Sequence, residues 1–248
     1  MKKHGVVAIG AFVIVVALVF LGMYRKAQAP APENSIGGIL ENSPAREIQK
    51  ESIKENGNGY SIEVAYPKLE SAAASKYISD FAKGTVDDFK KDTAWQNDPS
   101  TPKTVEETSL NVDYNVTSAP HTISYIFTVS SYTGGAHGLT TTKTFIFDAF
   151  TAELLTLANI FIDEKKGLEA LAVIATEQLT TTLQNPDATW IAQGAGPTED
   201  NYQNIVFTKE GMQVFFDPYQ VAPYVYGPQT VIVPYSALKN VLLPEFSR

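Results

Sequence analysis

Apolar and polar residues alternate in several stretches of this chain and recur at helical spacing in others, and the two periods divide it into elements. Tyr60, Ile62, Val64 and Tyr66 stand at every second position and are closed by Pro67, the mark of a half-buried strand. Leu69, Ala73, Ile78, Phe81, Ala82, Val86 and Phe89 then step by threes and fours, which predicts an amphipathic helix lying on a sheet. Alternation resumes at Leu110, Val112, Tyr114 and Val116, again at Ile123, Tyr125, Phe127 and Val129, and a third time over Thr140 to Phe147. A short helix is expected around Leu157 to Phe161, and a longer one from Lys165 to Leu183 on Leu168, Leu171, Ala172, Ala175 and Leu179. Residues 185–203 read as loop, followed by strands at Ile205 to Thr208, Met212 to Phe216 and Val231 to Val233, and a last short helix near Ser236 to Leu242. The fold class this order predicts is α+β, with antiparallel sheets packed against two main amphipathic helices.

Ahead of these elements lies a different pattern. Gly5 to Tyr24 is apolar throughout and follows Lys2-Lys3, and about 20 such residues suffice to span a bilayer as a helix. The expectation is an N-terminal transmembrane signal anchor over residues 1–26, in a single-pass protein of the cytoplasmic membrane whose domain lies on the extracytoplasmic side. The alternative is secretion after cleavage near Ala29, since Ala27-Gln28-Ala29 has the small-x-small form of a signal-peptidase site, although Pro30 follows it. Residues 27–57, rich in Pro, Gly, Asn and charge, read as a flexible linker. The remainder divides into a first α+β half at 58–150 and a second at 151–248.

Composition narrows the function classes. With 44% hydrophobic and 19% charged residues the chain can bury a core, so wholesale disorder is excluded. Its net charge of -8 opposes nucleic-acid binding, which rests on Lys and Arg neutralising phosphate. It suits a basic or neutral partner instead. There is no cysteine, which removes disulfides, thiolate metal sites and thiol nucleophiles together.

Three segments carry a family signal: Tyr132-Thr133-Gly134-Gly135-Ala136-His137-Gly138, the stretch from Phe147-Asp148 to Phe161, and Phe216-Asp217-Pro218-Tyr219-Gln220-Val221-Ala222-Pro223-Tyr224 with Val233-Pro234-Tyr235-Ser236. The pattern resembles the paired domain-of-unknown-function families 4163 and 3298. These form the extracytoplasmic part of the lysozyme-sensing anti-sigma factor RsiV and accompany the catalytic domain of the peptidoglycan deacetylase PdaC. The resemblance implies an exported envelope domain that binds a lysozyme-type protein or peptidoglycan glycan. The chain departs from both families of protein in showing neither a sigma-binding segment nor the metal-binding His motifs of a deacetylase domain.

The same segments nominate a binding site at Tyr132, Gly134, Gly135, His137, Asp217, Tyr219 and Tyr224, where exposed backbone amides, an imidazole and rigid tyrosine rings can meet a ligand. The glycines serve equally well as a hairpin turn, and the tyrosines as caps on the core. No catalytic residue, cofactor or metal is expected, because no G-x-S-x-G, S-x-x-K or H-E-x-x-H occurs and His121 and His137 have no third ligand at a familiar spacing. The leading expectation is therefore a membrane-anchored binding domain that catalyses nothing. The rival is an envelope hydrolase acting on cell-wall material, with His137 close to a Ser, Thr or carboxylate; glycosidase chemistry needs two carboxylates brought together in space, and nothing local nominates which two.

Overall fold

In the computed structural model, residues 42–57, 59–97 and 107–247 are described. Five strands form the first sheet in the order β1-β2-β3-β4-β5: β1 Glu47–Gly57, β2 Tyr60–Leu69, β3 Thr108–Ala119, β4 Thr122–Tyr132 and β5 Leu139–Asp148. Helix α1, Ala72–Asp92, joins β2 to β3. Ser71 caps it by accepting the Ala74 N–H, and Lys90 and Lys91 sit in its last turn, where the carbonyl end of the helix favours positive charge. Ala74, Ile78, Ala82, Val86 and Phe89 form its buried stripe. Against the sheet, the Phe81 ring meets Phe127 edge-on at 5.0 Å and Phe145 at 5.4 Å.

The sheet is mixed, which corrects the expectation of antiparallel sheets. β2 and β3 run parallel from Tyr60 beside Thr108 to Val64 beside Val112, while the other pairs are antiparallel. A parallel pair cannot close through a tight turn, and α1 is the crossover it requires.

The second sheet is wholly antiparallel, with β6 Ile205–Phe207, β7 Gly211–Phe216 and β8 Gln229–Pro234 in that order. Four helices accompany it among the described residues: α2 Leu157–Ile160, α3 Glu164–Thr182, α4 Ala188–Gly194 and α5 Tyr235–Leu238. Leu168, Leu171, Ala172, Ala175 and Leu179 of α3 enter a core shared with Phe207, Met212, Val214 and Val233. A separate cluster lies between α1 and the first sheet. β6 crosses the sheet face opposite α1, where Thr122 and Ser124 of β4 are buried. Among the described residues, their hydroxyls find no hydrogen-bond partner.

Two further differences follow from exposure. The stretch expected to be linker up to residue 57 contains β1, none of whose residues is buried. It is held by its ladder to β2 and by ion pairs, Lys54 to Glu63 at 2.5 Å and Lys50 to Asp113 of β3 at 3.3 Å. The stretch 185–203, expected as loop, contains α4 and a turn of 3-10 helix at Glu199–Tyr202.

The expected transmembrane helix is also corrected. Among the described residues, no helix is long and apolar enough to cross a membrane. The longest, α1, exposes Lys76, Asp80, Lys83 and Asp87 on its outer side, which a bilayer core would reject. Residues 5–24 and most of the linker lie outside the described residues. The expected anchor, and with it the single-pass localisation and the membrane partner, falls on those residues.

Candidate functional site

The turn between β4 and β5 and the connection between β7 and β8 are distant in sequence and meet in the structure. Gly134 and Gly135 take φ of 99° and 113°, a region that L side chains avoid, so glycine is required for this turn. The Tyr132 hydroxyl donates to the Gly135 carbonyl at 2.9 Å. Gly134 lies against Trp95, whose ring an added Cβ would approach to 2.9 Å. At the end of the turn the Gly138 carbonyl accepts the Tyr224 hydroxyl at 3.0 Å, and His137 Nδ1 lies 3.0 Å from the same oxygen.

Those bonds align three rings. His137 stacks on Tyr224 with centroids 4.0 Å apart and planes 18° from parallel. Tyr224 in turn meets Tyr219 at 5.4 Å and 32°. Tyr219 is 50% exposed and has a φ of 71°, an uncommon conformation for an aromatic residue. Its backbone is held from two sides. The Trp190 indole N–H donates to the Tyr219 carbonyl at 2.8 Å, and the Asp217 and Gln220 residues close a turn around it with bonds of 3.0 and 3.1 Å.

Asp217 belongs to the foundation of this group. Its carboxylate accepts the Thr142 N–H of β5 at 2.7 Å, and Asn204 accepts the Thr144 N–H at 3.2 Å. Together they cap two donors on the outer edge of the first sheet, an edge that would otherwise remain open. Burial pushes the Asp217 carboxyl above the usual carboxylate range, against the pull of the Thr142 N–H.

Of the nominated residues, then, His137, Tyr219 and Tyr224 form one ring stack, Asp217 ties it to β5, and Tyr132, Gly134 and Gly135 shape the adjoining turn. His137 makes no hydrogen bond to a Ser, Thr or carboxylate among the described residues.

A second region was not nominated by the sequence. A cleft of about 480 Å³ beside β5 is lined by Lys143, Phe145, Glu164, Glu199, Asp200 and Gln203, among others. Glu164 opens α3 and Glu199 lies in the 3-10 turn before β6, and both line this cleft. Glu199 raises the Glu164 carboxyl above its ordinary value. Trp190 was also missed; the available signal was Asp187, which caps α4 by accepting the Thr189 and Trp190 N–H groups. No group of three or more His, Cys, Asp or Glu side chains suited to a metal ion occurs among the described residues.

Comparison with known proteins adds two family matches. Residues 158–236 match the model "Protein of unknown function (DUF3298)", and residues 53–140 match "Deacetylase PdaC". The chain is 26% identical over 216 residues to the peptidoglycan-N-acetylmuramic acid deacetylase PdaC of Bacillus subtilis, covering 86% of this chain and 46% of that protein. It is 30% identical over 138 residues to the immunogenic protein MPT64 of Mycobacterium tuberculosis, covering 52% of this chain and 60% of that one. The chain thus spans about half the length of the curated relatives it matches.

Two crystal structures of DUF3298 proteins share the fold. The one from Pseudomonas aeruginosa has a TM-score of 0.55 at 13% identity, covering 84% of this chain and 98% of that one. The one from Bacteroides fragilis has a TM-score of 0.53 at 20% identity, covering 82% and 96%. The expectation of a binding domain that catalyses nothing is corrected by the comparisons: residues 53–140 match a family model named for a deacetylase, and the Bacillus subtilis relative is itself a deacetylase. Over residues 158–236 and 53–140, the chain is homologous to the DUF3298 and PdaC families.

Proposed function

We propose that the chain is an envelope hydrolase acting on cell-wall material, with the Glu164–Glu199 pair as its acid–base couple. The observation that carries the reading is that these two carboxyl groups line one cleft beside β5, where Glu199 raises the Glu164 carboxyl above its ordinary value. The similarity to a peptidoglycan deacetylase supplies the substrate class.

The chemistry asked of the pair is modest. Glu199 takes a proton from water as its oxygen adds to the carbon under attack, and Glu164 passes its proton to the departing nitrogen or oxygen. For an acetamido group the C–N bond breaks and the products are an amine and acetate. We further propose that the halves 58–150 and 151–248 work as one paired unit of the 4163–3298 kind, since the ring stack takes His137 from one and Tyr219 and Tyr224 from the other.

The test is incubation of the full chain with purified peptidoglycan while released acetate and new reducing ends are both followed. The intact chain is expected to release one of them, and Glu164→Gln and Glu199→Gln each to lower kcat by about 10²–10⁴-fold, with a smaller change in KM. Because Glu164 must hold its proton, activity should fall as pH rises through its raised value, and Glu199→Gln should move that limb down towards the ordinary carboxylate range. No product from the intact chain, or undiminished turnover in both variants, would overturn the reading.

A further inference from the structure

We infer that the His137–Tyr224–Tyr219 stack is a saccharide-binding platform, with Tyr219 as the ring that receives a neutral pyranose unit of a polysaccharide. It is a site apart from the Glu164–Glu199 cleft. Gly138, which anchors the stack, precedes Lys143 of the cleft by five residues along β5, roughly 17 Å at the rise of an extended strand.

Three features select this ligand class. The first is which part of each ring is free. The Tyr224 hydroxyl is committed to Gly138 and its ring contacts both neighbours, whereas Tyr219 is the terminal ring, half-exposed, with no hydrogen bond to its hydroxyl among the described residues. It offers an aromatic surface with one polar atom at its rim. The hydrogens on the apolar side of a pyranose carry partial positive charge, which the negative face of an aromatic ring attracts, while the sugar hydroxyls stay at the edge in reach of water and the phenol.

The second feature is the ring geometry. His137 and Tyr224 are stacked at 18° and Tyr219 leans on Tyr224 at a tilt of 32°, whereas recognition of a quaternary ammonium needs rings standing as the walls of a box. The third is charge. A nucleobase would also stack on tyrosine, but strands of nucleic acid bind through a basic groove beside the rings. The side chains that bond within this stack and its supporting turns include Tyr132, His137, Trp190, Asp217, Gln220 and Tyr224, with no Lys or Arg among them, in a chain of net charge -8.

The platform is built before a ligand arrives. Holding Tyr219 at a positive φ costs conformational energy, and the Trp190 indole bond and the Asp217–Gln220 turn meet that cost in the folded state. A ring fixed in advance loses little further freedom when a sugar lands on it.

The Trp190 indole N–H, bonded to the Tyr219 carbonyl, is a built-in reporter. Full-length protein labelled with nitrogen-15 is titrated with an N-acetylglucosamine tetramer and, separately, with cellotetraose, while the Trp190 indole resonance is followed. At least one sugar should shift that resonance saturably, and the shift should survive about 0.5 M salt, where exposed charge interactions are screened. Tyr219→Asn removes the ring while keeping a residue that tolerates this backbone, and should weaken binding about five- to tenfold; Tyr219→Phe should retain it. Absence of a saturable shift with both sugars, unchanged affinity in Tyr219→Asn, or loss of binding in salt would each overturn the inference. The platform is read from sugar binding at the Trp190 resonance and the cleft from released product, so failure of the cleft chemistry and failure of the platform give different results.

Discussion

Asp217 faces two opposing demands. Its carboxylate is needed by the Thr142 N–H on the sheet edge, yet burial makes its charge costly and raises its proton affinity. A carboxyl whose folded value lies above its unfolded one contributes stability below the ordinary carboxylate range, and that contribution is lost as pH rises through the folded value. Asp217→Asn keeps an oxygen for Thr142 without a charge. It should therefore be as stable as the original at neutral pH, or more so, and should flatten the dependence of stability on pH across the acid range. Asp217→Ala leaves the Thr142 N–H without its partner and should cost about 1–3 kcal/mol. Thermal melts of both variants from acid to neutral pH would check the pair, and a neutral-pH loss in Asp217→Asn as large as that in Asp217→Ala would show that the charge itself is required. At this scale the sequence disclosed more than expected: the Tyr-rich strings named His137, Tyr219 and Tyr224 before any geometry linked them. It could not disclose Glu164 and Glu199, because each stands alone in its own segment and only the fold makes them neighbours.

Among the elements, legibility followed burial. β2, β3 and β4 bury alternate residues against α1 and so carry the two-residue period in their composition. β1 buries none, and its sequence, Glu47–Gly57, has no apolar phase to read. α4 is too short for a helical period to show, and its evidence lay in one capping residue, Asp187. The parallel pairing of β2 with β3 was hidden for another reason: alternation reports which side of a strand is buried, and direction depends on what the connection crosses. Edges are managed by side chains. On β8, Gln178 of α3 reaches the Ile232 backbone, donating to its carbonyl at 2.7 Å and accepting its N–H at 3.4 Å, in place of a further strand. Gln178→Ala should cost about 1 kcal/mol and speed hydrogen exchange at Ile232 more than at Val231 or Val233, whose amides face the other way along the strand. Equal acceleration along β8 would mean that Gln178 acts on the whole helix contact and not on the edge.

For the whole molecule, the two hydrophobic clusters are separate in their membership but joined through β6, which lies across β3, β4 and β5, and through the Asn204 and Asp217 caps on β5. That joint should make the halves unfold together. Each carries one tryptophan, Trp95 and Trp190, so Trp190→Phe and Trp95→Phe give a separate fluorescence reporter of each half. Once each is corrected for its own change in stability, the two reporters should trace coincident denaturation curves. Curves that separate, with one half melting at lower denaturant, would show that the β6 joint is weaker than either core.

The segment that leads into β1 is anchored at unusual depth for a chain entry. Ala45 is fully buried, its carbonyl accepts the hydroxyl of the buried Tyr125 at 2.8 Å, and Pro44 and Arg46 accept the Ser71 and Glu70 N–H groups. A force drawn through Ser43 is thus delivered first to the centre of the sheet and to the cap of α1, before the exposed ladder of β1 feels it. The segment acts as a latch, and an exoprotease trimming inward would have to unseat Tyr125 from the Ala45 carbonyl before it could reach the first strand.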